Sequence, residues 1–185
     1  MTTEAKFKYA LKEMMLSHPL EDINVTVLCE KCECHRQTFY YHYQDIYDLL
    51  AAIFLNERIE GLNQASDVME ALSCFLGYAK SNFVFLRSTC TSSAHDLVDD
   101  FFYGKMTTKL FDVLSKKDAY GLSRDGYRAV ARRYAKTLSD ELGYGFRDIS
   151  ITPSRFERNM KSFFVASYST VFPAFVALSK EDKTK

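Results

Sequence analysis

The sequence predicts an all-α protein in which a small three-helix head, a helix-turn-helix, is joined to a larger helical-bundle body. Three observations predict it. The 185 residues include only 7 Gly and 3 Pro, too few to punctuate the hairpins of a sandwich or barrel. Apolar residues recur at three- and four-residue intervals along much of the chain, the period of helices that bury one face. Finally, 47% of the residues are hydrophobic and 15% aromatic, enough for a sizeable core.

Taken in order, Phe7, Ala10, Leu11, Met14 and Met15 form the stripe of a first helix that stops before Pro19. Thr26 is placed to cap a short second helix running to about Glu33, with Leu28, Cys29 and Cys32 on its inner face. A tight break at 33–35 leads into a third helix, Arg36 to His42. There Phe39 and Tyr43 point inward, leaving Arg36, Gln37, Thr38, Tyr40, Tyr41 and His42 mostly outward. Asp45 caps a long helix carrying Ile46, Leu49, Leu50, Ile53 and Phe54, expected to continue to about Asn63.

Four further helices follow from the same spacing. One carries Val68, Leu72, Phe75, Leu76 and Ala79; one runs from Leu97 to about Leu114; one carries Tyr127, Val130, Ala131, Tyr134 and Leu138. The last starts with Thr152 as cap and Pro153 in its first turn and is expected to kink at Pro173. "KKDAYGLSRDG" and "GYGFRDISIT" read as loops. The expected division is a head of residues 1–47 and a body of 48–185, the head being too small to fold stably by itself.

Net charge is zero, with 24 basic and 24 acidic residues, so no overall basic character recommends a nucleic acid as partner. The first 50 residues are themselves acidic, and any DNA reading must rest on particular side chains. "MTTEAKFKYALKEMM" has no uninterrupted apolar segment, and the longest apolar run, Phe163 to Leu178, is shorter than the roughly 20 residues of a membrane span. These features predict a cytoplasmic protein with no membrane partner. No nucleophile elbow, phosphate loop or metalloprotease helix motif is present, and the adjacent His95 and Asp96 diverge on a helix, so no enzyme and no cofactor are expected.

"CEKCECH", Cys29 to His35, offers four ligand atoms, but all lie within seven residues and no distant pair follows to close a knuckle around a metal. The preferred reading is that Cys29, Cys32 and Cys34 serve as small apolar residues of the helix-turn-helix, with no metal bound. A cysteine-dependent metal or redox sensor is the alternative reading.

The stretch "TFYYHYQDIYDLL" follows the pattern T-[LF]-Y-x-H-[FY]-x-[SD]-x-x-x-L-L at Thr38, Phe39, Tyr40, His42, Tyr43, Asp45, Leu49 and Leu50. It resembles the recognition-helix signature of TetR-like bacterial transcriptional regulators, most closely the subgroup related to dihydroxyacetone-kinase operon regulators, over about residues 5–55. The resemblance implies a homodimer that binds double-stranded operator DNA through its two heads. Its variable body dimerises and often binds a small effector, and a coactivator protein is conceivable. Carried over by position, Arg36, Gln37 and Thr38 would face base edges. Tyr40 and His42 would grip phosphates, Tyr41 could do either, and Thr26 would meet the backbone. The chain departs from the family in three places: Glu33 stands at the usual turn glycine, His35 at the usual small cap, and Ile46 where many members have a lysine.

In the body, Phe75, Tyr78, Phe102, Tyr103, Tyr127, Tyr134, Phe164 and Tyr168 are candidates to line an apolar effector pocket with a few phenolic donors. Phe163, Ser167, Thr170 and Ala174 are candidates for a dimer face on which small residues let two helices approach. Effector or partner binding would then alter the separation of the two heads. A protein-interaction module with a degenerate head is the remaining alternative.

Overall fold

The computed structural model describes residues 2–181, the side chains of Lys117 and Glu181 excepted; residues 182–185, counted with the body above, lie outside the described residues. Among the described residues all regular structure is helical: α1 (Thr3–Met14), α2 (Val25–Lys31), α3 (Arg36–His42), α4 (Ile46–Asn56), α5 (Val68–Ser81), α6 (Phe83–Cys90), α7 (Asp96–Lys117), α8 (Arg124–Arg147) and α9 (Pro153–Glu181), with one 3-10 turn at Leu20–Asp22. Two compact units form. One holds Met1–Arg58 with Phe83–Val98, and the other holds Ile59–Asn82 with Asp99–Lys185.

In the first unit α1 packs on α2 and α4, and α2 on α3. Phe7, Leu11, Leu28, Phe39, Leu49 and Leu50 are fully buried at the centre. The Phe7 and Phe39 rings meet edge-on at 5.3 Å, so the inner face of α3 is pinned to α1. Residues 83–98 belong to this unit as well, with Phe85 stacked on Phe54 at 5.5 Å.

Sequence and structure differ here in three ways. Helix α2 is capped by Asn24, whose side chain accepts from the amides of Thr26 and Val27; Thr26 lies inside the helix. Asn at the N-cap begins the helix two residues earlier than a Thr26 cap would. Helix α4 ends at Asn56, and Gly61, at φ +73°, turns the chain instead of continuing the helix to Asn63. Helix α6 was not anticipated, because the short apolar run "FVFLRSTC" fits a buried strand as well as a helix.

In the second unit α8 packs along α9, and α5 also packs on α9. "GYGF", read as loop, lies in the last turns of α8. The glycines serve close approach there: a Cβ on Gly145 would stand 2.8 Å from the Phe156 ring, and one on Gly143 would stand 2.7 Å from an Asp99 carboxylate oxygen. Phe146 accordingly stacks on Phe156 at 4.6 Å.

Helix α9 runs through Pro173 to Glu181. Its buried positions step from Phe156 to Met160, Phe164 and Ser167 at helical spacing, then jump five residues to Phe172 before resuming at Val176 and Ser179. The buried stripe therefore shifts around the helix just before Pro173. It is the one described helix long and apolar enough to cross a membrane, and only 28% of its most apolar 18 residues are buried.

Candidate nucleic-acid interface

The turn between α2 and α3 is closed by two backbone bonds. Glu33 donates to the Glu30 carbonyl at 3.1 Å and Cys34 to the Cys29 carbonyl at 3.1 Å, around Glu33 at φ +52°. This is a Schellman closure, and Glu33 adopts the left-handed conformation that a glycine takes without strain. His35 follows as the cap of α3 and makes no side-chain capping bond.

On α3, Phe39 and Tyr43 are buried while Arg36, Gln37, Tyr40 and Tyr41 are exposed, Tyr41 at 85%. Thr38 and His42 are half-buried. Arg36 Nη2 donates to the Tyr40 hydroxyl at 3.4 Å, and the guanidinium lies 5.9 Å from that ring's centre. This hydrogen bond raises the Arg36 pKa further above its ordinary value. His42 Nδ1 lies 3.3 Å from a Glu4 carboxylate oxygen, so the ring is tethered to α1 at the edge of the face. The buried Tyr43 hydroxyl has no hydrogen-bond partner among the described residues, and burial pushes its phenol pKa up, with Glu4 and Asp48 adding to the shift.

Beside α3 an open groove of about 660 Å³ is lined by Asn24, Thr26, Arg36, Tyr40, Asp45 and Tyr47. The structure thus brings Thr26, Arg36 and Tyr40 to one concave face, with Gln37 and Tyr41 exposed elsewhere on α3. Sequence reasoning passed over Asn24 and Tyr47 as members of this face. Asn24 could have been found from its preference for the cap position. The Tyr47 hydroxyl is 3.0 Å from Ser93 Oγ, a partnership 46 residues distant that no local pattern reveals.

The start of α4 is already supplied with negative charge: Asp45 accepts from the Asp48 amide at 2.8 Å, and Asp48 accepts from the Gln44 amide at 3.0 Å. Ile46, at the position of the family's lysine, is buried. A helix start capped by two carboxylates is a poor anion site.

All five cysteines are free thiols. Among the described residues no three or more His, Cys, Asp or Glu side chains gather as a metal ion would require.

Of the expected pocket aromatics in the second unit, Phe75, Tyr78, Phe102, Tyr127 and Tyr134 are buried core residues. Phe102 meets Phe75 at 6.4 Å and Tyr78 at 6.1 Å, while the Tyr127 hydroxyl donates to Asp118 at 2.8 Å and ties down the 118–120 loop. Tyr168, half-buried, packs on Phe172 at 5.1 Å. Phe164 borders one groove of about 370 Å³ between α5 and α9. Tyr103 borders another, of about 450 Å³, with Arg132, Arg133 and Lys136.

The four expected dimer-face residues are also divided. Thr170 and Ala174 are exposed, Phe163 is half-buried, and Ser167 is 2% exposed with its hydroxyl 3.0 Å from that of Tyr134. Ser167 is thus occupied inside its own subunit, because the buried stripe of α9 changes register between it and Phe172. Val165 and Leu178 are also exposed on α9, on different sides of the helix.

No protein-family model and no curated protein matches the sequence. Solved structures do resemble it. A dihydroxyacetone kinase operon activator, DhaS, superposes with a TM-score of 0.67 at 22% identity, covering 89% of this chain and 95% of that one. A protein described as a transcriptional regulator from Pseudomonas aeruginosa PAO1 superposes with a TM-score of 0.55 at 16% identity, covering 93% of each chain. At these identities the likeness is one of fold: the chain has the helical architecture of these regulators.

Proposed function

We propose that the protein is a TetR-like transcriptional regulator that works in the cytoplasm and binds operator DNA as a homodimer. Each head reads DNA through α2 and α3, and a small effector or a partner protein acting on the second unit modulates binding. The observation that carries this reading is the exposed row Arg36, Gln37, Tyr40 and Tyr41 on a helix whose inner face is locked by Phe39 and Tyr43. A short helix held rigidly from behind, with an arginine and a glutamine in its first turn, suits direct readout in a major groove. Tyrosine and threonine hydroxyls beside them supply the phosphate bonds that fix register.

The dimer is supported by α9. Thr170, Ala174 and Leu178, spaced four residues apart, leave a small-residue, largely apolar face uncovered within one chain, and a second copy is the simplest cover for it. A footprint on the DNA upstream of the protein's gene tests the reading. Two protected half-sites about 34–36 Å apart are expected for a two-fold dimer. Uniform cleavage along that DNA at saturating protein would overturn it.

The neutralised start of α4 and the buried Ile46 favour one second reading, an interaction module whose head has stopped binding DNA. That protein would give a stable helical dimer and no footprint.

A further inference from the structure

A Schellman closure brings two side chains face to face: that of the third residue from the helix end and that of the second residue beyond it, commonly an apolar pair. At the end of α2 these two residues are Cys29 and Cys34. Cys34 Sγ lies 3.8 Å from the Cys29 carbonyl oxygen, to which its thiol donates. Cys32, the remaining thiol of the turn, is directed away toward α1, with its sulfur 3.8 Å from the Lys6 carbonyl oxygen. Cys29 is buried and Cys34 is half-buried, so one member of the pair is open to a reagent and the other waits behind it.

We propose that Cys29 and Cys34 are an oxidisable dithiol that closes to a disulfide across the turn of the helix-turn-helix. The oxidant is a low-molecular-weight disulfide. Cys34, having released its proton to water, attacks one of the oxidant's sulfurs, forming a mixed disulfide and expelling a thiolate that takes up a proton. The Cys29 thiol then loses its proton and attacks the Cys34 sulfur, expelling the second small thiolate, which is protonated in turn. Two protein thiols become one disulfide, and one small disulfide becomes two thiols. Burial and the neighbouring Cys34 push Cys29 up to about 11, which fits Cys34 as the attacking thiol and Cys29 as the resolving one.

Helix α3 starts at Arg36, two residues after Cys34, and its cap His35 has no side-chain bond to hold it. Drawing Cys34 onto Cys29 therefore shifts the first turn of α3, where Arg36 and Gln37 sit. This consequence for DNA rests on the function proposed above; the disulfide itself does not.

The test exposes the full chain to graded ratios of glutathione disulfide to glutathione, traps free thiols by alkylation, and reads intact mass and peptide maps. The expected product lacks two hydrogens and carries a Cys29–Cys34 bond within one chain. Cys32→Ser should close in the same way. Cys29→Ser should stop with one glutathione on Cys34, and Cys34→Ser, at a half-exposed position that tolerates serine, should form neither product. Five free thiols throughout, a bond to Cys32, or a bond between chains would overturn the proposal. Anisotropy with DNA on the reduced and oxidised protein separates the two inferences. A loss of about tenfold on oxidation, the worth of one good base contact, supports the switch. A mapped disulfide with unchanged affinity overturns the switch alone, and absence of binding in both states overturns the DNA reading while the mapped disulfide stands.

Discussion

The Arg36 guanidinium leans on Tyr40, donating to its hydroxyl at 3.4 Å from 5.9 Å above the ring centre. One turn apart on α3, the two side chains brace each other across the exposed face. The arginine is therefore partly ordered within the chain itself, which would lower the entropy lost if it bound a base as proposed. The hydroxyl accepts in this bond, so its own hydrogen remains free to be donated to a further acceptor.

This pairing predicts different losses from two substitutions. Arg36→Ala should lower affinity for the preferred site by about tenfold and narrow the gap to base-substituted sites, because a bidentate base contact is lost. Tyr40→Phe should weaken binding to all sequences by a similar factor, since a phosphate bond carries no sequence information. Competition against a panel of single-base variants measures both. Equal narrowing of specificity by the two variants would remove the separate roles.

Asn24 and Thr26 lie two residues apart at the start of α2 and should behave oppositely. Asn24 satisfies two backbone amides, so Asn24→Ala should cost about 1 kcal/mol of stability. Thr26 is exposed and caps nothing, so Thr26→Ala should leave the urea midpoint nearly unchanged while weakening DNA binding. Denaturation and anisotropy on the same two variants decide the matter.

The glycines of the second unit offer a test of packing. Gly145→Ala would push a methyl to 2.8 Å from the Phe156 ring and should cost about 2 kcal/mol, as overpacking of a close helix pair does. Gly77, inside α5, would present its added carbon to nothing within 4 Å beyond the adjoining residues and backbone of its own helix. Gly77→Ala should therefore stabilise by about 0.5–1 kcal/mol through helix propensity alone. Thermal unfolding of the two variants should move in opposite directions.

The head was legible in the sequence because its signals are local. The stripe of Phe7, Ala10, Leu11 and Met14 and the inward pair Phe39 and Tyr43 each lie within a few residues of one another, and all are buried as their spacing implies. What escaped depends on distant partners. Gly143 and Gly145 look like loop residues until Asp99 and Phe156 are seen against them. The aromatics grouped as a pocket lining have the spacing of core residues, and most are buried; that Phe164 borders a groove against α5 and Tyr103 one beside Arg132 depends on distant partners. Ser167 shares a helical face with Thr170 and Ala174 by counting, yet the five-residue step before Pro173 buries it against Tyr134 and leaves them exposed.

The exposed face of α9 yields a prediction for assembly. Ala174→Glu would set a carboxylate among Thr170, Leu178 and their symmetry mates, where burial without a partner is costly. Light scattering should find the unaltered chain dimeric at about micromolar concentration, within the range of ordinary protein associations, and the variant monomeric with its helical content retained. A unaltered chain that is already monomeric would remove the two-half-site arrangement.

The central claim is that the first unit reads DNA, and fluorescence anisotropy on the DNA upstream of the protein's gene, against scrambled competitor and across a salt series, tests it most directly. Binding that survives the competitor is the expected result. Its dependence on salt should be shallow, because Ile46 and the two capping carboxylates remove charge contacts at the start of α4 and fewer counterions are released. Binding no better than to scrambled DNA, by protein shown to be folded and dimeric, would contradict the claim.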